Sequence, residues 1–192
     1  MMLPGRVTSA PPGLHGIDTS GVLNEEHCQA AKSRGFSFCI RYVSRTARQS
    51  ASDLSEAEAR TILSAGLALM PVQHVAREGW SPTKQLGTTF GKNAAAHVFH
   101  IGFPQGVNVW LDLEGIKPSS SHWRRHRLLQ CMDCGGGFGR VRSRRLCRRE
   151  GDSYWRRDFL ASSDQTFLEI WKQGSGHTAP RLPADSKDHQ RR

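Results

Sequence analysis

The chain has 192 residues, enough for one domain with a sizeable core, and 37% of them are apolar. Its formal net charge of +10 is unevenly placed, since residues 1–116 carry a net charge of +1 and residues 117–192 carry +9. No run approaches the roughly 18 apolar residues of a membrane span, and residues 1–13 lack the apolar core of a signal peptide. We therefore expect a soluble protein without a membrane span, cytoplasmic by default.

The cysteine content argues against a protein held together by disulfide bonds. Cys28 and Cys39 lie in the charge-balanced part of the chain, and Cys131, Cys134 and Cys147 lie in the basic part. An odd count of five cannot make a complete disulfide framework.

Four segments have the composition of buried β-strands, being rich in apolar, aromatic and β-branched residues. After a Pro/Gly-rich lead over 1–13, which we predict to be flexible, they cover residues 14–18, 36–43, 67–75 and 107–115. Pro71 lies in the third segment and cannot donate a ladder hydrogen bond, which indicates a bulge or an edge there.

Helical patterns separate these strands and cover about 22–33, 55–64 and 84–101. Gly35 and Gly66 follow the first two patterns, where helix ends favour glycine, and Ser55 with Glu58 fits a capping box. Strands that alternate with amphipathic helices predict an α/β fold, with a parallel sheet covered by helices.

Polar residues lie at the carboxyl ends of all four predicted strands, where (β/α) barrels and open α/β sheets place their active sites. These residues are Asp18, Arg41, Tyr42, Gln73, His74, Asp112 and Glu114.

The last predicted strand brings two carboxylates to one face. Because side chains alternate across a strand, Trp110, Asp112 and Glu114 are predicted to point one way, and Val109, Leu111 and Leu113 the other way. Alternatively, the two acids merely finish a strand and cap the next helix.

Together these segments resemble the glycoside-hydrolase-like TIM-barrel domain of bacterial cell-wall-associated proteins, related in plan to the lysozyme-type family 25 glycoside hydrolases. The matching segments are residues 16–18, 39–44, 54–58, 69–74 and 109–114. The resemblance implies that residues 14–118 form the N-terminal half of a (β/α)8 TIM barrel, with four parallel strands and their helices.

The resemblance also implies an acidic catalytic cluster of Asp18, Asp112 and Glu114. Glu114 would be the general acid, and Asp112 a base or an electrostatic stabiliser of the oxocarbenium-like charge. Crowding of carboxylates raises the pKa of at least one of them, so that a protonated and an ionised carboxyl coexist near neutral pH.

Substrate contacts are expected from the polar and aromatic residues around these acids. Arg41, Tyr42 and Gln73 would hold sugar hydroxyls, and Trp80 or Trp110 would stack on a pyranose ring. Arg41 could instead pair with an acid, and Trp110 could fill the core. His74 is predicted to be a pocket histidine that contacts substrate, or else a core histidine, since it has no partners at metal-ligand spacing. The sequence implies neither a metal nor another cofactor.

Residues 119–192 lose hydrophobic periodicity and become rich in Arg. They could form a basic nucleic-acid-binding arm in which Trp123 and Trp155 stack on bases. A zinc site is another interpretation, and its ligands would come from Cys131, Cys134, Cys147, His122 and His126.

We favour a third interpretation of this segment, a shifted reading frame that begins between Glu114 and His122. In one shifted frame, residues 122–134 and 177–192 both back-translate to segments typical of the family. High charge and low hydrophobicity favour disorder, so we expect an irregular tail with at most short helices near 123–131 and 164–172.

The sequence thus predicts a glycoside-hydrolase-like domain that acts on or binds a bacterial cell-wall polysaccharide. A barrel that stops halfway leaves a strand edge unpaired, so we expect this chain to be inactive. By resemblance the protein would be secreted or cell-wall associated. Two alternatives are a basic nucleic-acid-binding protein that uses residues 117–192 and a non-catalytic carbohydrate-binding module.

Overall fold

The computed structural model describes residues 1–11, 13–74, 76–121, 124, 128, 159–160 and 166–169. Its helices are Glu25–Ser33 (α1), Glu56–Ser64 (α2) and Lys84–Ile101 (α3). Its strands are Arg6–Ser9 (β1), His15–Thr19 (β2), Phe38–Val43 (β3), Ala68–Gln73 (β4), Trp110–Leu111 (β5), Phe159–Leu160 (β6) and Thr166–Glu169 (β7). None of the helices in these residues is long and apolar enough to cross a membrane.

Four parallel strands form the centre of the sheet. β2 pairs with β3, β3 with β4 and β4 with β5, all in parallel. One helix lies between each successive pair along the chain, in the order β2, α1, β3, α2, β4, α3, β5. The predicted α/β arrangement of four parallel strands with helices is therefore confirmed.

Antiparallel strands extend this sheet, and the sequence did not predict them. β6 pairs with β2, while β7 pairs with β1 and with β4 at Leu69. The short helix predicted near 164–172 is wrong, because β7 occupies residues 166–169. Unpaired backbone groups at a sheet edge favour an added strand over a short helix.

β1 lies within the predicted 13-residue lead. Of the short helix predicted near 123–131, the structure describes Arg124 and Leu128, and both are helical.

Side-chain caps explain where the helices begin. The side chains of Asn24, Ser55 and Thr83 accept hydrogen bonds from backbone N–H groups in the first turns of α1, α2 and α3, at 2.9–3.1 Å. Ser55 makes its half of the predicted capping box. The Glu58 carboxylate instead accepts a hydrogen bond from Leu23 N at 2.8 Å.

The sheet buries both of its faces, as parallel sheets do. On the helix face, Ile17, Cys39, Leu69 and Val109 join the core formed with the helices. On the opposite face, which we call the far face, a second cluster contains Phe38, Ile40, Tyr42, Ala68, Met70, Val72 and Trp110. All six residues of β3 and of β4 are buried for this reason.

Candidate active site

The far face ends in a group of polar side chains at the carboxyl edge of the parallel strands. The Tyr42 hydroxyl donates a hydrogen bond to Asp18 Oδ2 at 3.1 Å. The Tyr42 ring stacks on the His74 ring, with 4.7 Å between centroids, and His74 Nε2 lies 2.9 Å from Asp53 Oδ1. We call the following residues the rim cluster: Asp18, Tyr42, Asp53, His74, Asp112 and Glu114.

Backbone hydrogen bonds place two of these side chains just beyond their strands. His74 N donates to Val43 O at 3.0 Å, and Asp112 N donates to Gln73 O at 3.2 Å. These bonds continue the parallel ladder past the last residues of β4 and β5. His74 and Asp112 therefore follow adjacent strands at one edge of the sheet.

Asp53 is the member of the rim cluster that the sequence analysis missed. Leu54 N donates to Tyr42 O at 2.8 Å, which holds the segment before α2 against the end of β3. Ser50 N donates to Asp53 Oδ2 at 2.7 Å. The contact with His74 spans 21 residues, and no local pattern reveals such a contact.

Asp112 is the carboxyl whose protonation the site alters. Burial raises its pKa above the usual value, and the charges of Glu114 and Asp18 raise it further. A hydrogen bond from Glu114 N, at 3.0 Å, and the charge of His74 act in the opposite direction. Since burial dominates, Asp112 keeps its proton to a higher pH than an exposed aspartic acid.

Glu114 is held by contacts between the two loops that follow β4 and β5. Its carbonyl oxygen accepts a hydrogen bond from Trp80 Nε1 at 3.0 Å. Gly79 N donates to Gly115 O, and Lys117 N donates to Trp80 O, both at 2.8 Å. Glu114 is more exposed than Asp112, so the two predicted acids lie in different environments.

Arg41 lies on the helix face and does not join the rim cluster. It is fully buried, and its Nε and Nη2 donate to the two carboxylate oxygens of Glu58 at 2.6 and 3.0 Å. Nη1 donates to Thr19 O and Nη2 to Ser52 O, both at 2.9 Å. Arg41 therefore pairs with an acid inside the protein, which was the alternative to a sugar contact. Its side chain does not lie in the rim cluster.

Gln73 and Trp110 are also buried. Gln73 belongs to the same side of β4 as Leu69, and its Nε2 donates to His74 O at 2.9 Å. Trp110 is 1% exposed and packs in the far-face cluster. Of the predicted sugar contacts, Tyr42 and His74 are the ones that lie in the rim cluster.

Among the described residues, no group of three or more His, Cys, Asp and Glu side chains is arranged to hold a metal ion. The residues of the alternative zinc site lie outside the described part of the chain. That the protein needs neither a metal nor another cofactor stays a prediction.

Comparison with known families finds a match over about half of the chain. The sequence model of the family described as "Rv2525c-like, glycoside hydrolase-like domain" matches residues 29–125. This match continues past residues 114–122, where the sequence analysis placed a break in the frame, so it gives no support to an interruption there. It also gives no support to a relation with the lysozyme-type family 25. No curated protein sequence matches the chain.

Solved structures show the same fold at low sequence identity. The Tat-secreted protein Rv2525c of Mycobacterium tuberculosis, in complex with HEPES, has a TM-score of 0.53 and 17% identity over 69% of this chain and 67% of its own. The structure of Rv2525c in complex with L-tartrate has the same TM-score and the same sequence identity, over 70% of this chain and 68% of its own. An uncharacterized B. stearothermophilus protein has a TM-score of 0.56 and 15% identity over 83% and 87%.

Proposed function

This chain belongs to the Rv2525c-like, glycoside hydrolase-like domain family, and on that premise we propose that its rim cluster binds a bacterial cell-wall glycan and hydrolyses an O-glycosidic bond. One observation carries the proposal. Asp112 is a buried carboxyl with a raised pKa, and it lies near enough to Asp18 and Glu114 for their charges to affect it. Glycoside hydrolysis requires carboxyl groups in two protonation states at one place.

The environments of the acids decide their roles. Asp112 is the proton donor to the leaving glycosidic oxygen, because burial raises its pKa and so favours its protonated form. Glu114 and Asp18 are the carboxylates that stabilise positive charge at the anomeric carbon. This assignment exchanges the roles that the family resemblance implies for Asp112 and Glu114.

The likeness to a Tat-secreted protein supports a substrate outside the cytoplasm. Secretion of this chain, and a cell-wall polysaccharide as its substrate, form part of the proposal. The sequence-based expectation of an inactive chain rested on an interrupted barrel. The described part of the chain already brings together four side chains of the proposed site, namely Asp18, Tyr42, His74 and Asp112. We therefore propose that this chain hydrolyses its substrate.

The test is an assay of glycan binding and bond cleavage by the full chain. Purified protein is incubated with insoluble peptidoglycan, and the bound protein and the released reducing ends are both measured. Replacement of Asp112→Asn keeps the size of the side chain and an acceptor for Glu114 N but removes the proton donor. We expect it to lower kcat by about 100-fold or more while binding persists.

Glu56→Gln is the matched control, because it removes a carboxylate that pairs with Arg60 at the surface. Its turnover should equal that of the unaltered protein. Binding without any release of reducing ends would contradict hydrolysis and favour a carbohydrate-binding module. The basic segment lies largely outside the described residues, so nucleic-acid binding stays a prediction, and the comparisons do not support it.

A further inference from the structure

A second pair of titratable side chains lies in the rim cluster, beside the acids assigned above. The Asp53 side chain is only 3% exposed, and its two oxygens contact His74 Nε2 at 2.9 Å and Ser50 N at 2.7 Å. A buried carboxylate that contacts an imidazole fixes the tautomer and the orientation of the ring.

These contacts leave one nitrogen of His74 available. An ionised carboxylate only accepts hydrogen bonds, so Nε2 carries the proton that is donated to Asp53. Nδ1 of the neutral ring then has a lone pair, and among the described residues no hydrogen bond reaches it. The Tyr42 ring fixes the plane of the imidazole by stacking on it, and the His74 side chain is 29% exposed.

We propose that His74, oriented by Asp53, is the general base that accepts a proton from the attacking water in the proposed hydrolysis. The inference rests on the proposed function and adds the second proton-transfer group to it. His74 and Asp112 follow β4 and β5, which are adjacent and parallel, with Gln73 opposite Leu111. The acceptor and the donor therefore lie at the same edge of the sheet.

The proton balance of the reaction closes with these two groups. An O–H bond of water breaks, its proton goes to Nδ1 of His74, and the water oxygen bonds to the anomeric carbon. The glycosidic C–O bond breaks, and the leaving oxygen takes the proton of Asp112. The imidazolium later releases its proton to solvent, and Asp112 takes one up.

The charges around His74 suit a group that becomes cationic during the reaction. Asp53 faces it from the segment before α2, and the Tyr42 hydroxyl on β3 is bound to Asp18 on β2. Asp112 interacts with His74 from beyond the end of β5, and Glu114 follows two residues later.

The experiment measures kcat/KM against pH for the full chain and for Asp53→Asn. A base must be unprotonated, so the rate should fall toward acid pH. Asn lacks the charge that favours the protonated ring, so Asp53→Asn should move this acid limb to lower pH. His74→Gln should lower kcat by about 100-fold and abolish the limb, with a smaller change in KM. His100→Gln removes an exposed histidine on α3. It should change neither kcat nor the position of the acid limb.

NMR of the His74 ring nitrogens supplies a readout that does not depend on turnover. We expect the proton to lie on Nε2 in the unaltered protein and to be shared between Nε2 and Nδ1 in Asp53→Asn, and thermal melting checks that this variant is folded. Turnover with an unmoved acid limb, or His74→Gln with normal kcat, would overturn the base while the proposed function stands. No turnover by the unaltered protein would overturn both, even if NMR still detects the Asp53–His74 pair.

Discussion

Asp112 and Glu114 are two residues apart, and their different burial separates their chemistry. Asp112 is 5% exposed, and the charge of Glu114 is one of the causes that raise its pKa. Coupling to Glu114 therefore affects Asp112, since removal of the charge on Glu114 changes the protonation of Asp112.

This coupling predicts the pH dependence of a Glu114→Gln variant. Asp112 donates a proton in the proposed reaction, so the rate falls as the pH rises through the pKa of Asp112. Without the charge of Glu114 that pKa is lower, so the alkaline limb of kcat/KM should move to lower pH. The measurement is a pH–rate profile beside that of Glu56→Gln, whose limb should stay in place. An alkaline limb that moves upward would contradict the assignment of Asp112 as the donor.

At the scale of elements, Arg41 and Glu58 connect β3 and α2 to the chain that follows β2. Arg41 binds the carbonyl oxygens of Thr19 and Ser52, and Glu58 accepts from Leu23 N. Both side chains of this ion pair are almost completely buried. The partner left behind by a single substitution would be a buried, uncompensated charge.

We therefore expect Arg41→Gln to lower the free energy of unfolding by about 3–5 kcal/mol. Urea denaturation followed by circular dichroism measures this change. Arg60→Gln is the matched control, since the pair of Arg60 with Glu56 has side-chain exposures of 31% and 41%. Because this pair is open to solvent, its loss should lower the free energy of unfolding much less than Arg41→Gln does. Equal effects of the two variants would show that burial of the Arg41 pair has no energetic importance.

The strands and helices between residues 14 and 111 could be predicted because each has its own local pattern. β1, β6 and β7 could not, since their antiparallel partners lie far away in the sequence. The same limit applies to the candidate site, because a local pattern does not show which side chains meet in the folded chain. Arg41 and Tyr42 both lie near the end of one strand, but alternation sends Tyr42 to the rim cluster and Arg41 to the helix face. Asp53 lies in a loop and becomes recognisable through its contact with His74.

At the scale of the whole molecule, two cysteines allow a test of whether the helices remain packed on the sheet. They are Cys28 and Cys39. Both are free, and both are fully buried in the helix-face core, Cys28 from α1 and Cys39 from β3. Burial, aided by nearby acidic charge, raises the pKa of Cys28 from 9.0 to about 11. Burial also raises the pKa of Cys39 well above its ordinary value.

Alkylation with iodoacetamide at pH 8 should therefore leave both thiols unmodified in the native protein, because the reactive thiolate is nearly absent. In denaturant both should react, and their peptides can be identified by mass spectrometry. The rate at low denaturant should follow global unfolding for both residues together. Rapid alkylation of Cys28 alone would show that α1 detaches from the sheet independently.

The paired loops that follow β4 and β5 have a consequence for how a ligand is received. Trp80 and Ile116 form a parallel bridge, and Trp80 also binds the carbonyl oxygen of Glu114. These contacts join the two loops beside the acids, so we expect a ligand that docks there to meet loops that are already held in place. A sugar chain docking there would lose its own torsional freedom but would freeze little of the protein, so the entropic cost of recognition would fall mainly on the ligand.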